Sequence, residues 1–311
     1  MVVFGGGHAS TNYDAVNTFS METLTWTEKY KPTNCSSMVT GGNFDAGKGA
    51  WRSGPSGPYP RAAARHTADL MAIPDDKDEL ILLTFVEGNG LCPGLAYTSY
   101  NFQAVGKIAH YNFGTNEWTF SNSVPDTVWG AAEYDPVSKK IVMLSTEGLF
   151  VYDPVTRVKT KTVDFIVNRI RDENGAVMAN LLYYSNQLVY YPPNDKFYYF
   201  ERVNKRVYEI TPNRSSPSKS TIQRLATTGT PPAHSEPGFA YDSANQIIGG
   251  AVHGNKFSAF NPMTRTWTTS TIQGGAPGTQ AFHAINYDPV NNVFVFITQT
   301  RETYAYRYRK P

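Results

Sequence analysis

The chain has 311 residues, of which 17% are charged and 14% are aromatic, and its formal net charge is +2. So high an aromatic content argues against a disordered chain. The scattered Lys and Arg residues form no basic run of the kind that marks a nucleic-acid or anionic-membrane surface. We expect no membrane span, because no apolar stretch is long enough, and we see no secretory signal, because residues 1–5 already form a predicted strand.

Two phrases recur along the chain, and each predicts a pair of antiparallel strands. The first is a strand that ends in Tyr, a turn with Asp or Pro, and a second apolar strand. The second is a strand, a turn with Asn, Asp or Pro, and a strand that carries Trp, as at Trp26, Trp118 and Trp267. The Tyr residues of the first phrase are Tyr134, Tyr191, Tyr241 and Tyr287, at spacings of 57, 50 and 46 residues. This spacing accommodates one four-stranded blade of a β-propeller with its loops.

The repeats therefore predict an all-β fold, with one β-propeller domain over residues 1–311. We count six blades, with seven blades as the alternative. The Tyr, Phe and Trp stripes are predicted to pack between neighbouring blades. The first unit begins at its second strand and the last ends at its third. In chain order the units span residues 1–30, 62–122, 127–162, 180–226, 236–270 and 281–310.

Glycine pairs at the end of a second strand give the repeats a recognisable pattern. Phe4-Gly5-Gly6-Gly7 precedes Thr25-Trp26, and Ile248-Gly249-Gly250 precedes Thr266-Trp267. In this the chain resembles the kelch and galactose-oxidase-like propellers. The resemblance covers most of the chain but indicates no subfamily, and the units around Leu144, Phe200 and Phe296 lack the glycine pair.

Long connections are predicted to gather on one face. In a propeller, the loops between second and third strands and the connections between blades share a face, which we call the top. The bottom turns, such as 135–140 and 288–292, are short. Long loops on a rigid scaffold are where binding usually occurs. The long connections are 34–61, 86–105, 163–179 and 213–236.

The two cysteines, Cys35 and Cys92, fall in the first two of these connections. They are too few for a structural zinc site. They could form a disulfide that joins the two loops or be two unrelated thiols, and the sequence leaves both alternatives open. A disulfide would indicate a secreted or virion-surface protein.

Five of the six histidines fall at predicted top positions, whereas His110 lies within a strand and is expected to be packed. His8, His66, His253 and His283 would line one side of a channel mouth, with His234 on the same face. Imidazoles gathered there could bind a metal, act as a base or hold a sugar; they could equally cap strand ends. We take His66, His283 and Arg65 as catalytic candidates. The ligand-binding candidates are His8, His253, His234, Trp129 and Glu236.

We expect a binding or structural module outside a cell or on a virion surface, part of a larger assembly, whose top loops contact a glycan or a protein. No cofactor is expected, and a metal only if the histidines converge. One alternative is a carbohydrate-active enzyme, such as a polysaccharide lyase, a sugar oxidase or an epimerase. The other is an intracellular kelch-type scaffold. The sequence favours binding over catalysis without deciding between them.

Overall fold

The computed structural model describes residues 1–5, 13–33, 43–53, 58–65, 67, 69–86, 106–125, 130–145, 147–165, 186–233 and 238–308. Strands dominate these ranges, and two short 3-10 helices, Pro192–Asn194 and Pro217–Lys219, occur among them. None of the helices in these ranges is long and apolar enough to cross a membrane. The predicted all-β fold is confirmed.

The chain divides into two compact units. Unit one comprises Met1–Val128, Tyr134–Met143 and Phe150–Thr160. Unit two comprises Trp129–Glu133, Leu144–Leu149 and Lys161–Pro311. The single domain over residues 1–311 stays a prediction.

Three antiparallel sheets lie in unit one. Sheets A (β1-β2-β3) and B (β4-β5-β6) have three strands, and sheet C has four, in the order β10-β9-β8-β7. The strands are β1 (Val2–Phe4), β2 (Val16–Ser20), β3 (Thr25–Glu28), β4 (Phe44–Asp45), β5 (Ala50–Trp51), β6 (Arg61–Ala62), β7 (Met71–Ala72), β8 (Glu79–Leu82), β9 (Ala109–Asn112) and β10 (Glu117–Phe120).

Sheet D, in the order β11-β12-β13-β14, contributes residues to both units, and sheets E, F and G belong to unit two. Sheets E (β15–β18) and F (β19–β22) have four strands each, and sheet G (β23–β25) has three. The strands are β11 (Ala131–Asp135), β12 (Lys140–Ser145), β13 (Gly148–Asp153), β14 (Val158–Asp164), β15 (Gln187–Tyr191), β16 (Lys196–Phe200), β17 (Val207–Thr211), β18 (Thr221–Arg224), β19 (Phe239–Asp242), β20 (Ile247–His253), β21 (Lys256–Asn261), β22 (Thr266–Thr271), β23 (Gln280–Asp288), β24 (Val293–Thr298) and β25 (Thr303–Tyr306).

Each four-stranded sheet is an antiparallel meander, which gives it two distinct ends. The first-to-second and third-to-fourth turns lie at the bottom end. The second-to-third turn and the connection to the next sheet lie at the top end. The Asp/Asn-Pro motif favours the bottom turns, because the side-chain oxygen of its first residue accepts hydrogen bonds from the backbone N–H groups of the residues that follow. The Oδ1 atom of Asp153 accepts from Val155 N at 2.9 Å, and that of Asn261 accepts from Met263 N at 2.9 Å.

Aromatic side chains fill the space between neighbouring sheets within each unit, as predicted. In unit two, Trp267 packs with ring centroids 5.7 Å from Phe200 and 5.0 Å from Phe260. In unit one, the buried Trp118 donates through Nε1 to Tyr30 Oη at 2.9 Å. Burying one such ring contributes about 2–3 kcal/mol. Trp26 differs, since it is 39% exposed on the outer strand β3 and its ring lies 5.2 Å from Phe19.

Two connections depart from the sequence prediction. The described part of 34–61, predicted as a loop, contains β4, β5 and the start of β6, so seven sheets rather than six are found among the described residues. The stretch 213–236, predicted to lie at the top, begins at the bottom end of sheet E. Arg214 there bonds Asp195 of the first bottom turn through two hydrogen bonds of 2.7 and 2.6 Å. This β17–β18 loop is long, contrary to the short bottom turns that we expected.

Candidate functional site

A buried arginine holds together the top end of sheet C. Arg65, which follows β6, has no solvent-exposed surface. Its Nη1 donates to Thr84 O at 2.9 Å and Lys107 O at 3.3 Å. Its Nη2 donates to Gly49 O at 3.1 Å, and its Nε donates to Ala63 O at 3.4 Å. One guanidinium therefore binds four carbonyl oxygens from four separate stretches of the chain, which its planar fork of donors allows.

Two of these carbonyl groups flank the predicted long loop. Thr84 lies two residues beyond β8, and Lys107 lies two residues before β9. Lys107 N also donates to Lys48 O of sheet B at 3.1 Å. Gly106 and Gly49 are so close that a Cβ on Gly106 would lie 3.0 Å from Gly49 Cα. The two stems of the connection are thus fixed to each other and to sheet B; we call this set the loop base.

The charge of Arg65 is held in a dry environment. Burial lowers the pKa of the Arg65 guanidinium to about 9, because the charged form loses its water. At neutral pH it remains a cation, and the four carbonyl dipoles compensate for the lost hydration. The catalytic role predicted for Arg65 stays a prediction.

The top end of unit two is built differently, around two irregular strands. The pairing of β20 shifts register between Gly250 and His253, and that of β23 shifts between Gln280 and Ile285. Ala251 (φ 52°) and His283 (φ 51°) lie in these two bulges. The other non-glycine residues with positive φ in the described ranges lie in turns between strands. Bulges and left-handed residues within strands are often found beside functional sites.

The two bulges converge on Gly238, at the start of the inner strand of sheet F. Ala251 N donates to Gly238 O at 2.9 Å. A Cβ on Gly238 would lie 2.8 Å from His283 Cα and 2.3 Å from Gln280 Nε2. A Cβ on Gly250 would lie 2.0 Å from Gly238 O. Only glycine fits at either position, which gives a physical reason for the second glycine of the Ile248-Gly249-Gly250 phrase.

Polar side chains link the two bulges. The buried Gln280 accepts at Oε1 from Val252 N at 3.2 Å. His253 Nδ1 lies 3.3 Å from Thr279 Oγ1. The strand segments that carry His253 and His283 therefore contact each other through Thr279 and Gln280. Their ligand-binding and catalytic roles stay predictions.

The remaining candidates lie outside the described residues. They are His8, His66, His234, Trp129, Glu236, Cys35 and Cys92. Neither the four-histidine channel mouth nor the disulfide is therefore tested. Within the described ranges, no group of three or more His, Cys, Asp or Glu side chains is placed to hold a metal ion.

A hydrogen-bonded chain at His110 was not predicted from the sequence. This buried side chain bonds Tyr152 Oη of sheet D through Nε2 at 2.6 Å and Glu79 Oε2 through Nδ1 at 3.1 Å. Burial lowers the pKa of His110, against the opposing effect of its hydrogen bond to Glu79. Burial also raises the pKa of Tyr152 to about 12. No local motif marks this chain, because its partners are 31 and 42 residues away.

A buried ion pair joins residues next to sheet A and in sheet B. The carboxylate of Asp14 lies 3.2 Å from Arg61 Nε, and both side chains are almost fully buried. The guanidinium of Arg61 lies 5.1 Å from the ring centroid of Tyr30 and 5.0 Å from that of Tyr59. Burial raises the pKa of Asp14 in spite of the nearby cation. This pair, too, was missed, because its members are 47 residues apart in the sequence.

Comparison with known proteins adds the fold alone. No protein-family model matches the chain. No curated protein matches it either. A structural-genomics protein of unknown function from Bacteroides thetaiotaomicron is 12% identical, with a TM-score of 0.54 over 94% of this chain and 64% of that one. An auxiliary nutrient binding protein from Bacteroides ovatus is 14% identical, with a TM-score of 0.50 over 95% of this chain and 65% of that one.

The fold is that of a β-propeller. Its four-stranded antiparallel meanders are the blades of such a fold. The β-propeller domain of Cps50 (Swd1) from Myceliophteria thermophila also aligns, at 10% identity over 66% of this chain and 60% of that one, but its TM-score of 0.40 supports no argument. The chain spans less than two thirds of the length of the two Bacteroides structures.

Proposed function

We propose that this chain is a binding propeller that acts outside a cell or on a virion surface, within a larger assembly. Its top loops contact a glycan or a protein partner. We also propose that its repeats are of the kelch type, and that sheets A and C to G are the six predicted blades of one domain, to which sheet B is an addition.

The loop base around Arg65 carries this proposal. Residues 87–105 join Val86 to Gly106 in the sequence, and one buried guanidinium binds the carbonyl groups of Thr84 and Lys107 on either side of this 19-residue segment. The buried cation thus fixes the two points between which a binding segment would be presented. Defined presentation lowers the entropy lost on binding. The nutrient-binding description of the Bacteroides ovatus structure supports a binding role by analogy alone.

The test is an exchange of loops. Residues 87–105 are replaced by a short Gly/Ser linker, and residues 213–219 at the bottom end of sheet E are replaced in a matched control. Both variants and the native chain are applied to arrays of immobilised oligosaccharides and of extracellular proteins. We expect the first replacement to lower the affinity for the bound partner by about tenfold or more, equivalent to about 1.4 kcal/mol, and the control to leave it unchanged. Equal binding by all three chains, or no binding by the native chain, would refute the proposal.

The alternative of a carbohydrate-active enzyme retains one supporting observation. His283 is held in a left-handed conformation within a strand, and such strain is often found at catalytic positions. Release of product from an oligosaccharide by the native chain but not by His283→Ala, with unchanged thermal stability, would favour the enzyme. The intracellular scaffold has no comparable observation in its favour.

A further inference from the structure

The top end of unit two carries a row of exposed and half-buried polar side chains outside the loop base. We call it the threonine edge; its members are His253, Thr279, Thr300, Glu302 and Tyr304. Thr279 lies beside His253, as described above, and Thr279 O accepts from Gln299 N at 2.9 Å. Thr300 Oγ1 donates to Glu302 Oε2 at 2.8 Å. Tyr304 Oη lies 3.3 Å from the same oxygen. The row therefore runs from the end of sheet F across the top end of sheet G.

The groups of this row match a hydroxylated, uncharged ligand. A threonine hydroxyl both donates and accepts, and an imidazole has two ring nitrogens that can take part in hydrogen bonds. Sugar hydroxyls have the same dual character. Glu302 adds a carboxylate to the row, which accepts from Thr300 Oγ1. Such a group accepts hydrogen bonds from sugar hydroxyls and repels anionic ligands, so the row favours uncharged sugars over sialylated or sulfated ones.

The surroundings provide both support and space. The bulges behind the row are fixed by the close approach at Gly238 and by the Gln280–Val252 hydrogen bond. The ring of Tyr304 is stacked on Phe296, with an interplanar angle of 14°. In the connection that leads to Thr279, a Cβ on Gly274, Gly275 or Gly278 would meet nothing within 4 Å. A ligand can therefore approach a rigid polar row beside an open segment.

We propose that the threonine edge is a binding site for neutral oligosaccharides, in which His253 and Thr279 hydrogen-bond sugar hydroxyls. This proposal rests on the proposed binding function but concerns a site separate from residues 87–105. It names one ligand class, uncharged sugars, for this end of the molecule.

The full chain is applied to an array of uncharged gluco-, galacto- and manno-oligosaccharides together with sialylated and sulfated ones. Affinities for the best ligand are then measured for His253→Ala, Thr279→Ala and Thr228→Ala. Thr228 is the control, since its exposed hydroxyl lies 3.0 Å from Thr266 Oγ1 and outside the threonine edge. We expect uncharged ligands to bind, and the first two variants to bind about three- to tenfold more weakly, as for the loss of one hydrogen bond. Thr228→Ala should bind as the native chain does.

Binding of anionic ligands only, unchanged binding by His253→Ala and Thr279→Ala, or no binding of any oligosaccharide would overturn the site. The variant in which a linker replaces residues 87–105 distinguishes a failure of the threonine-edge proposal from a failure of the proposed binding function. If that replacement abolishes binding of a protein partner while no sugar binds, the binding function is supported and the threonine-edge site is refuted. If sugars bind and only His253→Ala and Thr279→Ala lower their affinity, the threonine-edge site is supported and the role of residues 87–105 is refuted.

Discussion

The top ends of the two units are held together differently. In unit one, backbone segments meet at Gly49 and Gly106, and a large buried cation in addition binds four carbonyl oxygens. In unit two, the two bulges approach each other at Gly238 and Gly250, where no side chain separates the backbone segments. The top end of unit one thus depends on one charged side chain as well as on glycines, whereas that of unit two depends mainly on the absence of side chains at two glycines.

This difference predicts which substitutions each end tolerates. Removing the guanidinium should destabilise unit one, because four carbonyl groups lose a hydrogen-bond donor. Adding atoms should harm unit two, where a methyl group has no space. Two substitutions test the contrast, and a pH dependence at His110 adds a third and smaller expected effect.

Arg65→Met should have the largest effect. It removes a charged hydrogen-bond donor from the four carbonyl groups of the loop base, so we expect the free energy of unfolding to fall by about 3 kcal/mol or more. Urea denaturation measures the loss. Arg52→Gln is the control, because the Arg52 side chain is 60% exposed and its change should stay within about 0.5 kcal/mol. A loss below about 1 kcal/mol for Arg65→Met would contradict the role of the loop base.

Gly250→Ala should follow. Its Cβ would lie 2.0 Å from Gly238 O, and its φ of 154° disfavours a side chain, so we expect a loss of about 2–3 kcal/mol. Thermal unfolding and hydrogen exchange of residues 247–253 report the change. Gly254→Ala is the matched control, since at φ 62° its Cβ would meet nothing within 4 Å and only the backbone cost of about 1 kcal/mol applies. Equal losses for the two variants would show that crowding at Gly238 is unimportant.

The pH dependence at His110 should be the smallest of the three. Because burial lowers its pKa in the folded state, the unfolded chain takes up the proton first as the pH falls. The stabilisation is complete above the ordinary pKa of 6.5 and is lost as the pH falls from there to the folded pKa. The loss is at most about 1.4 kcal/mol per pH unit. Denaturation of the native chain and of His110→Gln between pH 7.5 and 5 should give a flatter profile for the variant; parallel profiles would contradict it.

The sequence predicted the strands well because their information is local. The Asp/Asn-Pro turns at Asp153 and Asn261 use oxygens that bond amides two or three residues on, so a short window is enough to recognise them. The recurring aromatic residues, such as Trp118 and Trp267, similarly predicted packing between neighbouring sheets. Sheet B escaped notice because its strands are two residues long, too short for any periodicity to appear.

The candidate sites depended on contacts that no local window contains. The sequence marked Arg65 and His283 as candidates but did not show which contacts each of them makes. The hydrogen-bond partners of Arg65 are up to 42 residues away, and the bulge at His283 appears only when β23 is paired with β24. By itself the sequence determined the all-β repeat, since turn chemistry and hydrophobic period act between near neighbours. Only the tertiary structure decided which polar groups are buried, because burial and hydrogen bonding depend on the segments that folding brings together.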